Sequence, residues 1–156
     1  MISPLLSHMA ELKQRINDDV KAAMREKNRA RLLTLRMILA AIKQKEVDER
    51  IELDDNQVLG VLDKMARQHR ESINQYQNAG RDDLVDKEKQ ELSIVLSYLP
   101  APLTEEEIQQ LITQAIRETG AASMQDMGKV MGILKPKIQG SADMGKVSSL
   151  VKAELQ

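Results

Sequence analysis

The stretch Thr119 to Val147, TGAASMQDMGKVMGILKPKIQGSADMGKV, decides how the rest of the chain is read. Asp-Met-Gly-Lys-Val occurs in it twice, at Asp126 to Val130 and at Asp143 to Val147, seventeen residues apart. One recurrence at that offset is too little for a solenoid, so it marks two similar helix starts. Ser123, with Asp126 three residues on, is the expected cap of the first, and Ser141 or Asp143 of the second. Between them Met127, Val130, Met131, Leu134 and Ile138 recur at helical spacing and predict an apolar stripe, which Pro136 is expected to limit.

Gly128 and Gly132 lie four apart on one face of that helix, where each costs roughly 1 kcal/mol relative to alanine. Two readings remain open: a neighbouring helix packs closely there, the commoner case, or a ligand approaches a face without side chains. A membrane dimerisation motif is excluded by Lys129, Lys135 and Lys137 and by the short apolar extent. From Thr119 to Lys152 five lysines, Lys129, Lys135, Lys137, Lys146 and Lys152, stand against Asp126 and Asp143, a local charge of +3 in a chain of net charge −1. Lysines beside glycines suit phosphate contact. The pattern is not a P-loop, which needs G-x-x-x-x-G-K-[ST] after a strand.

These residues also carry a family resemblance. Met124 to Leu134 with Pro136-Lys137, then Gly140-Ser141-Ala142-Asp143 and Gly145-Lys146-Val147, resemble the C-terminal motif shared by YqeY proteins and the tail of GatB, the tRNA-binding subunit of the glutamine-dependent aspartyl/glutamyl-tRNA amidotransferase. The resemblance to YqeY runs over nearly the whole chain, and that to the GatB tail over roughly the C-terminal two thirds. Two departures stand out: Ser141, where many members have arginine, and Met144, inserted before Gly145. The missing arginine weakens the case for a strong phosphate contact at this loop. The resemblance implies an accessory module that docks on the body of tRNA. It brings with it a carbon–nitrogen ligase label with glutamine as amido-N-donor, inherited from the complex and not from groups in this chain.

Composition supports a folded helical protein. Of 156 residues 42% are hydrophobic and 30% charged, and the only aromatics are Tyr76 and Tyr98, so the core falls to Leu, Ile, Val, Ala and nine Met. There is no cysteine, which removes disulfides, thiolate chemistry and cysteine zinc sites, and fits a cytoplasmic setting. No apolar run reaches membrane-spanning length, and no secretory signal is expected. Met1 to His8 read as an expression tag, with Ser7-His8-Met9 as a junction ahead of a native start at Met9.

In chain order, Leu12, Ile16, Val20, Ala23 and Met24 mark a first helix that breaks at Asn28. Leu32, Leu35, Ile38, Leu39 and Ile42 mark a second over Arg29 to Glu49, with Leu33, Met37 and Ala41 broadening its stripe. Leu53-Asp54-Asp55 offers caps to a long third helix carrying Val58, Leu62, Met65, His69, Ile73 and Tyr76, which Ala79-Gly80 ends. A fourth runs from about Asp82 to Ser97, with Leu84, Val85, Glu88, Leu92, Val95 and Leu96 on or near its inner face. Leu99-Pro100-Ala101-Pro102 reads as a stiff linker. Thr104-x-x-Glu107 is a capping box ahead of a fifth helix that ends at Thr119-Gly120. The prediction is an all-α protein: an N-terminal bundle of about four helices over 9–99 and a small three-helix domain over 104–156.

The strongest charge asymmetry lies elsewhere. Lys21, Arg25, Lys27, Arg29, Arg31, Arg36, Lys43 and Lys45 stand against Glu26 alone, a local +7. This is either a solvated face balanced by the acidic run Glu46 to Asp55 or a phosphate-contacting surface. With two aromatics there is little on which to stack unpaired bases, so a folded RNA read by shape and phosphate is the form left open. The expected RNA-binding set is therefore Lys129, Lys135, Lys137 and Lys146 with Gly128 and Gly132, and Arg25, Arg29 and Arg36. The partner is tRNA or a tRNA-handling enzyme, or, in the rival reading, an acidic protein. His69 reads as a satisfied, partly buried histidine, and the methionines as core filler. Glu105-Glu106-Glu107 favours a helix N-terminus, a divalent ion being the weaker alternative. No metal site, cofactor or independent catalysis is expected, because no nucleophile, base and nucleotide-loop pattern is present and Ser148-Ser149 lacks an amidase context.

Overall fold

The computed structural model describes residues 11–156, so the expected tag at residues 1–8 and the start at Met9 lie outside the described residues. Seven α-helices and one 3-10 turn make up the described chain: α1 (Glu11–Arg25), α2 (Arg29–Glu49), α3 (Asp55–Asn78), α4 (Asp82–Leu96), α5 (Glu105–Thr119), the turn Met124–Asp126, α6 (Met127–Ile138) and α7 (Met144–Leu155). The protein is all-helical, and among the described residues the only β-type pairing is an isolated bridge between Gln139 and Ala142. Two compact units meet at the Leu99–Pro100 bond.

In the first unit the helix ends follow from local chemistry. Asn28 accepts a hydrogen bond from the Arg31 N–H and starts α2, and Lys27, at φ 57, turns the chain there. Asp54 and Gln57 cap α3 reciprocally, at 2.8 and 2.9 Å. At its far end the Arg81 N–H reaches back to the Tyr76 carbonyl, with Gly80 at φ 69. Ile16, Leu35, Ile38, Ile42, Val58, Leu62 and Val95 are completely buried between these helices.

Polar contacts fix the rim of this aliphatic core. Glu46, 9% exposed, accepts from the Lys13 ammonium at 2.9 Å and from the Leu53 N–H at 3.0 Å, joining α1, α2 and the loop into α3. The Asp55 carboxylate accepts from the Leu12 N–H at 2.9 Å. The Tyr98 hydroxyl donates to Asp19, and the Arg15 guanidinium lies 4.9 Å from the Tyr98 ring centre. Burial pushes the Tyr98 hydroxyl well above its ordinary value, and the bond to Asp19 adds to the shift.

Burial departs from the expected pattern at three points. Leu33 (63% exposed) and Met37 (45%) do not broaden the buried stripe of α2 but face outward, as does Met24 on α1. No methionine is fully buried among the described residues: Met65, Met127, Met131 and Met144 pack at core margins. Branched side chains lose less rotamer freedom on burial than methionine does, and they take the centre. Leu96 at the end of α4 is also exposed.

In the second unit the Thr104–Glu107 box forms, with Thr104 accepting from the Glu107 N–H at 3.1 Å, and Gly120 ends α5 at φ 65. Ile112, Val130, Leu134, Ile138, Val147 and Val151 form a second, completely buried cluster. Ser123 does not cap with its side chain. Its carbonyl accepts from the Asp126 N–H, while the Asp126 carboxylate turns back to the Ala122 N–H at 3.0 Å, which holds its pKa below the ordinary 3.8. Asp143, the other candidate, caps α7 through the Gly145 N–H at 2.9 Å. Pro136 does not end α6, which continues to Ile138. A proline inside a helix costs about 3 kcal/mol, and full burial of an isoleucine returns about 1.5–3 kcal/mol. Ile138, at 0% exposure, holds the last turn in place.

The bond to the Leu53 N–H, with Lys13 assisting, lowers the Glu46 pKa from its ordinary 4.5. The stabilisation is complete above pH 4.5 and is lost as pH falls through the depressed folded value. Glu46→Ala leaves the Leu53 N–H without an acceptor and should cost about 1–3 kcal/mol at neutral pH. Glu46→Gln, which keeps an oxygen for Leu53, should cost less and lose this part of the acid sensitivity. Denaturant melts of the three proteins between pH 3 and 7 check both outcomes.

Candidate functional site

The open face of α6 is built from spacing. At 3.6 residues per turn, Gly128, Gly132 and Lys135 fall within an arc of about 60°, and Lys129 and Pro136 extend it on one side. Val130, Leu134 and Ile138 occupy the opposite side and enter the core. The five residues of the open arc are all exposed. A Cβ placed on Gly128 or on Gly132 would meet no atom within 4 Å. Among the described residues no neighbouring helix packs closely against either glycine. Pro136 has no N–H for the Gly132 carbonyl and its ring crowds that carbonyl, so the helix backbone is least screened where the side chains are missing.

The expected lysines separate into two groups. Lys129 and Lys135 border the glycines and form no ion pair among the described residues, although Lys129 feels the charge of Asp126. Lys137 is exposed but lies about 140° around the helix from Gly132, beside Ile133. Lys146, on α7, pairs with Glu105 at 3.0 Å, and that bond lowers the Glu105 pKa from its ordinary 4.5. Glu105-Glu106-Glu107 is thus occupied by helix-end chemistry: Glu105 with Lys146 and Glu107 in the capping box.

In the N-terminal unit Arg25 ends α1 and Arg29 opens α2, with Lys27 between them in the turn. Placing cations at the positive end of α2, with no acidic residue in its first turn, concentrates positive potential at this tip. Arg31 is drawn toward Asp19 at 3.9 Å. Arg36 is exposed, its guanidinium 3.8 Å from the Met24 sulfur. Arg29, Leu33, Arg36, Lys43 and Val47 share one face of α2, so cations and exposed apolar side chains alternate along it.

His69, 8% exposed on α3, has its Nδ1 2.6 Å from Glu88 Oε2 and 3.7 Å from Glu91 Oε2, both on α4. The sequence reading has His69 as a satisfied histidine and leaves Glu91 unremarked. The available signal was two carboxylates three apart, Glu88 and Glu91, beside the inner stripe of α4.

The family model for the Yqey-like protein matches residues 13–155. The protein named "Altered inheritance of mitochondria protein 41, mitochondrial" of Eremothecium gossypii is 40% identical over 94 residues, 60% of this chain and 49% of the relative. Its namesake in Pyrenophora tritici-repentis is 33% identical over 133 residues, 82% of this chain and 71% of the relative. That of Clavispora lusitaniae is 36% identical over 107 residues, 66% and 61%. The chain spans about half the length of several curated relatives it matches. These relatives are mitochondrial by name, which overturns the expectation of a cytoplasmic protein. Lack of cysteine does not separate one reducing compartment from another.

With open space at both Cβ positions, Gly128→Ala should hold or raise the melting midpoint, by up to about 1 kcal/mol of stability. Gly132→Ala should gain less, because Pro136 already weakens the turn it belongs to. A clear loss in both, the overpacking signature of roughly 1–3 kcal/mol, would restore the packed-helix reading. Thermal melts of the two variants decide.

Proposed function

The chain belongs to the YqeY family, and on that premise we propose that it is an accessory module that binds tRNA, or an enzyme carrying tRNA, through the open face of α6. The observation that carries this reading is the pair Gly128 and Gly132, with empty space over both and Lys129 and Lys135 beside them. Phosphate contact needs cations and close approach, and this face offers both without aromatic stacking groups. Lys137 adds charge at the flank, Lys146 joins by leaving Glu105, and Arg25, Arg29 and Arg36 form a second basic surface in the other unit. We read the units as a four-helix N-terminal bundle over 9–99 and a three-helix C-terminal domain over 104–156. Independent catalysis is no part of the proposal, and the amidotransferase association is one of family.

A second reading rests on α2. Leu33, Met37 and Val47 are exposed on the side that carries Arg29, Arg36 and Lys43, a mixture that suits an acidic amphipathic protein surface better than a phosphate backbone.

Fluorescence polarisation with bulk and mitochondrial tRNA, from low to moderate salt, tests the first reading. Binding should weaken as salt rises, and Lys129→Gln or Lys135→Gln should each reduce the salt slope by about 1. Salt-independent binding, or none at tens of micromolar, counts against it. Affinity capture with and without ribonuclease tests the second. Partners that survive the nuclease and are lost with Arg29→Gln and Arg36→Gln favour the protein-interaction reading.

A further inference from the structure

Outside the two basic surfaces, the N-terminal unit holds a second cluster with its own chemistry. His69 Nδ1, Glu88 Oε2 and a Glu91 oxygen all lie within 4.8 Å of one another. The imidazole is more than nine-tenths buried, and the two carboxylate side chains are 18% and 15% exposed. Neither glutamate is paired with a lysine or arginine among the described residues. Two largely buried carboxyl groups therefore converge on one ring nitrogen with no lysine or arginine paired with them.

We propose that His69, Glu88 and Glu91 form a binding site for a divalent first-row transition ion of zinc type. One nitrogen and two oxygen donors suit such an ion better than Ca2+ or Mg2+, which prefer all-oxygen shells. With ligand distances near 2.1 Å, tetrahedral donors stand roughly 3.4 Å apart. The 3.7 Å separation of His69 from Glu91 is already close to that. The 2.6 Å contact with Glu88 is a hydrogen bond and must open, which rotation of the glutamate side chain allows. The ion takes the Nδ1 lone pair, and the ring proton moves to Nε2 or to solvent. Both carboxylates reach solvent, so a fourth position is left for water or an exchangeable ligand. The ligands come from the two arms of the α3–α4 hairpin, so an ion here ties them together across their middle. The site is independent of the RNA-binding reading.

The test uses the full chain carrying His8→Ala, which leaves His69 as the only imidazole of the two in the sequence. Calorimetric titration with zinc chloride should show one ion per chain, and zinc should raise the melting midpoint. Cobalt substitution should give the visible absorption of a four-coordinate nitrogen–oxygen site. His69→Gln and Glu91→Gln should each weaken zinc binding at least tenfold and abolish the zinc-induced rise. Glu91→Gln leaves the His69–Glu88 bond in place, and its metal-free melt checks that the fold is intact. If His69→Gln does not fold, Glu91→Gln decides alone. No zinc binding by the parent protein, or binding of equal strength after Glu91→Gln, overturns the proposal.

Discussion

A single carboxylate organises the N-terminal unit. Glu46 lies near the end of α2, and its oxygens accept from Lys13 on α1 and from the backbone of Leu53 just before α3. A buried ion pair contributes little net stability when desolvation of both charges cancels their attraction, so attraction to Lys13 alone is a weak explanation. The Leu53 N–H changes the balance, because a buried donor would be left unsatisfied without it. The geometry then follows in sequence. With Leu53 held, Asp54 can cap α3, and Asp55 can accept from the Leu12 N–H at the start of α1. The two polar clamps set where α1 meets α2 and α3, and Tyr98 bonded to Asp19 sets where the end of α4 meets α1.

Directional polar contacts matter more here than in a chain with many aromatic residues. Interlocking rings fix register through shape, and this protein has two tyrosines and no Phe or Trp. Its buried side chains are mostly Val, Leu, Ile and Ala, which pack well but tolerate small slides of one helix along another. The rim bonds remove that freedom. In the C-terminal unit the capping box of α5 and the Leu103 N–H bonded to the Ser141 carbonyl do the same for the chain entering α5 and the loop before α7.

The helices were legible because their ends are written in short-range chemistry. Asn28, Asp54, Thr104 and Gly120 each act within three or four residues, where sequence spacing is spatial spacing. What periodicity cannot tell is which apolar side chains a neighbour covers. Leu33 and Leu35 are chemically alike and two apart, yet one is 63% exposed and the other 0%. The repeated Asp-Met-Gly-Lys-Val shows the same limit at closer range. Asp143 reaches forward to the Gly145 N–H, whereas Asp126, the last residue of a 3-10 turn, reaches back to the Ala122 N–H. His69 and Glu88 are nineteen residues apart, so their contact exists only once α3 has folded back on α4. The emptiness over Gly128 and Gly132 is likewise a tertiary fact.

The two basic surfaces differ in what lies between their cations. On α2, Leu33 and Met37 flank Arg36, so an occupant that left them wet would forgo much of the favourable burial, and one that covered them with phosphates would set apolar surface against ions. On α6 the face beside Lys129 and Lys135 carries Gly128 and Gly132, and among the described residues no side chain covers the helix backbone at either glycine. Lys146 adds a further distinction: its bond to Glu105 lies at the surface and so is easily exchanged for another anion. On the proposed reading, the face of α6 would discriminate by charge and closeness, and the face of α2 by charge and apolar fit. A nucleic-acid backbone satisfies the first pair of requirements and a protein surface the second, which makes α6 the element on which an RNA reading stands or falls.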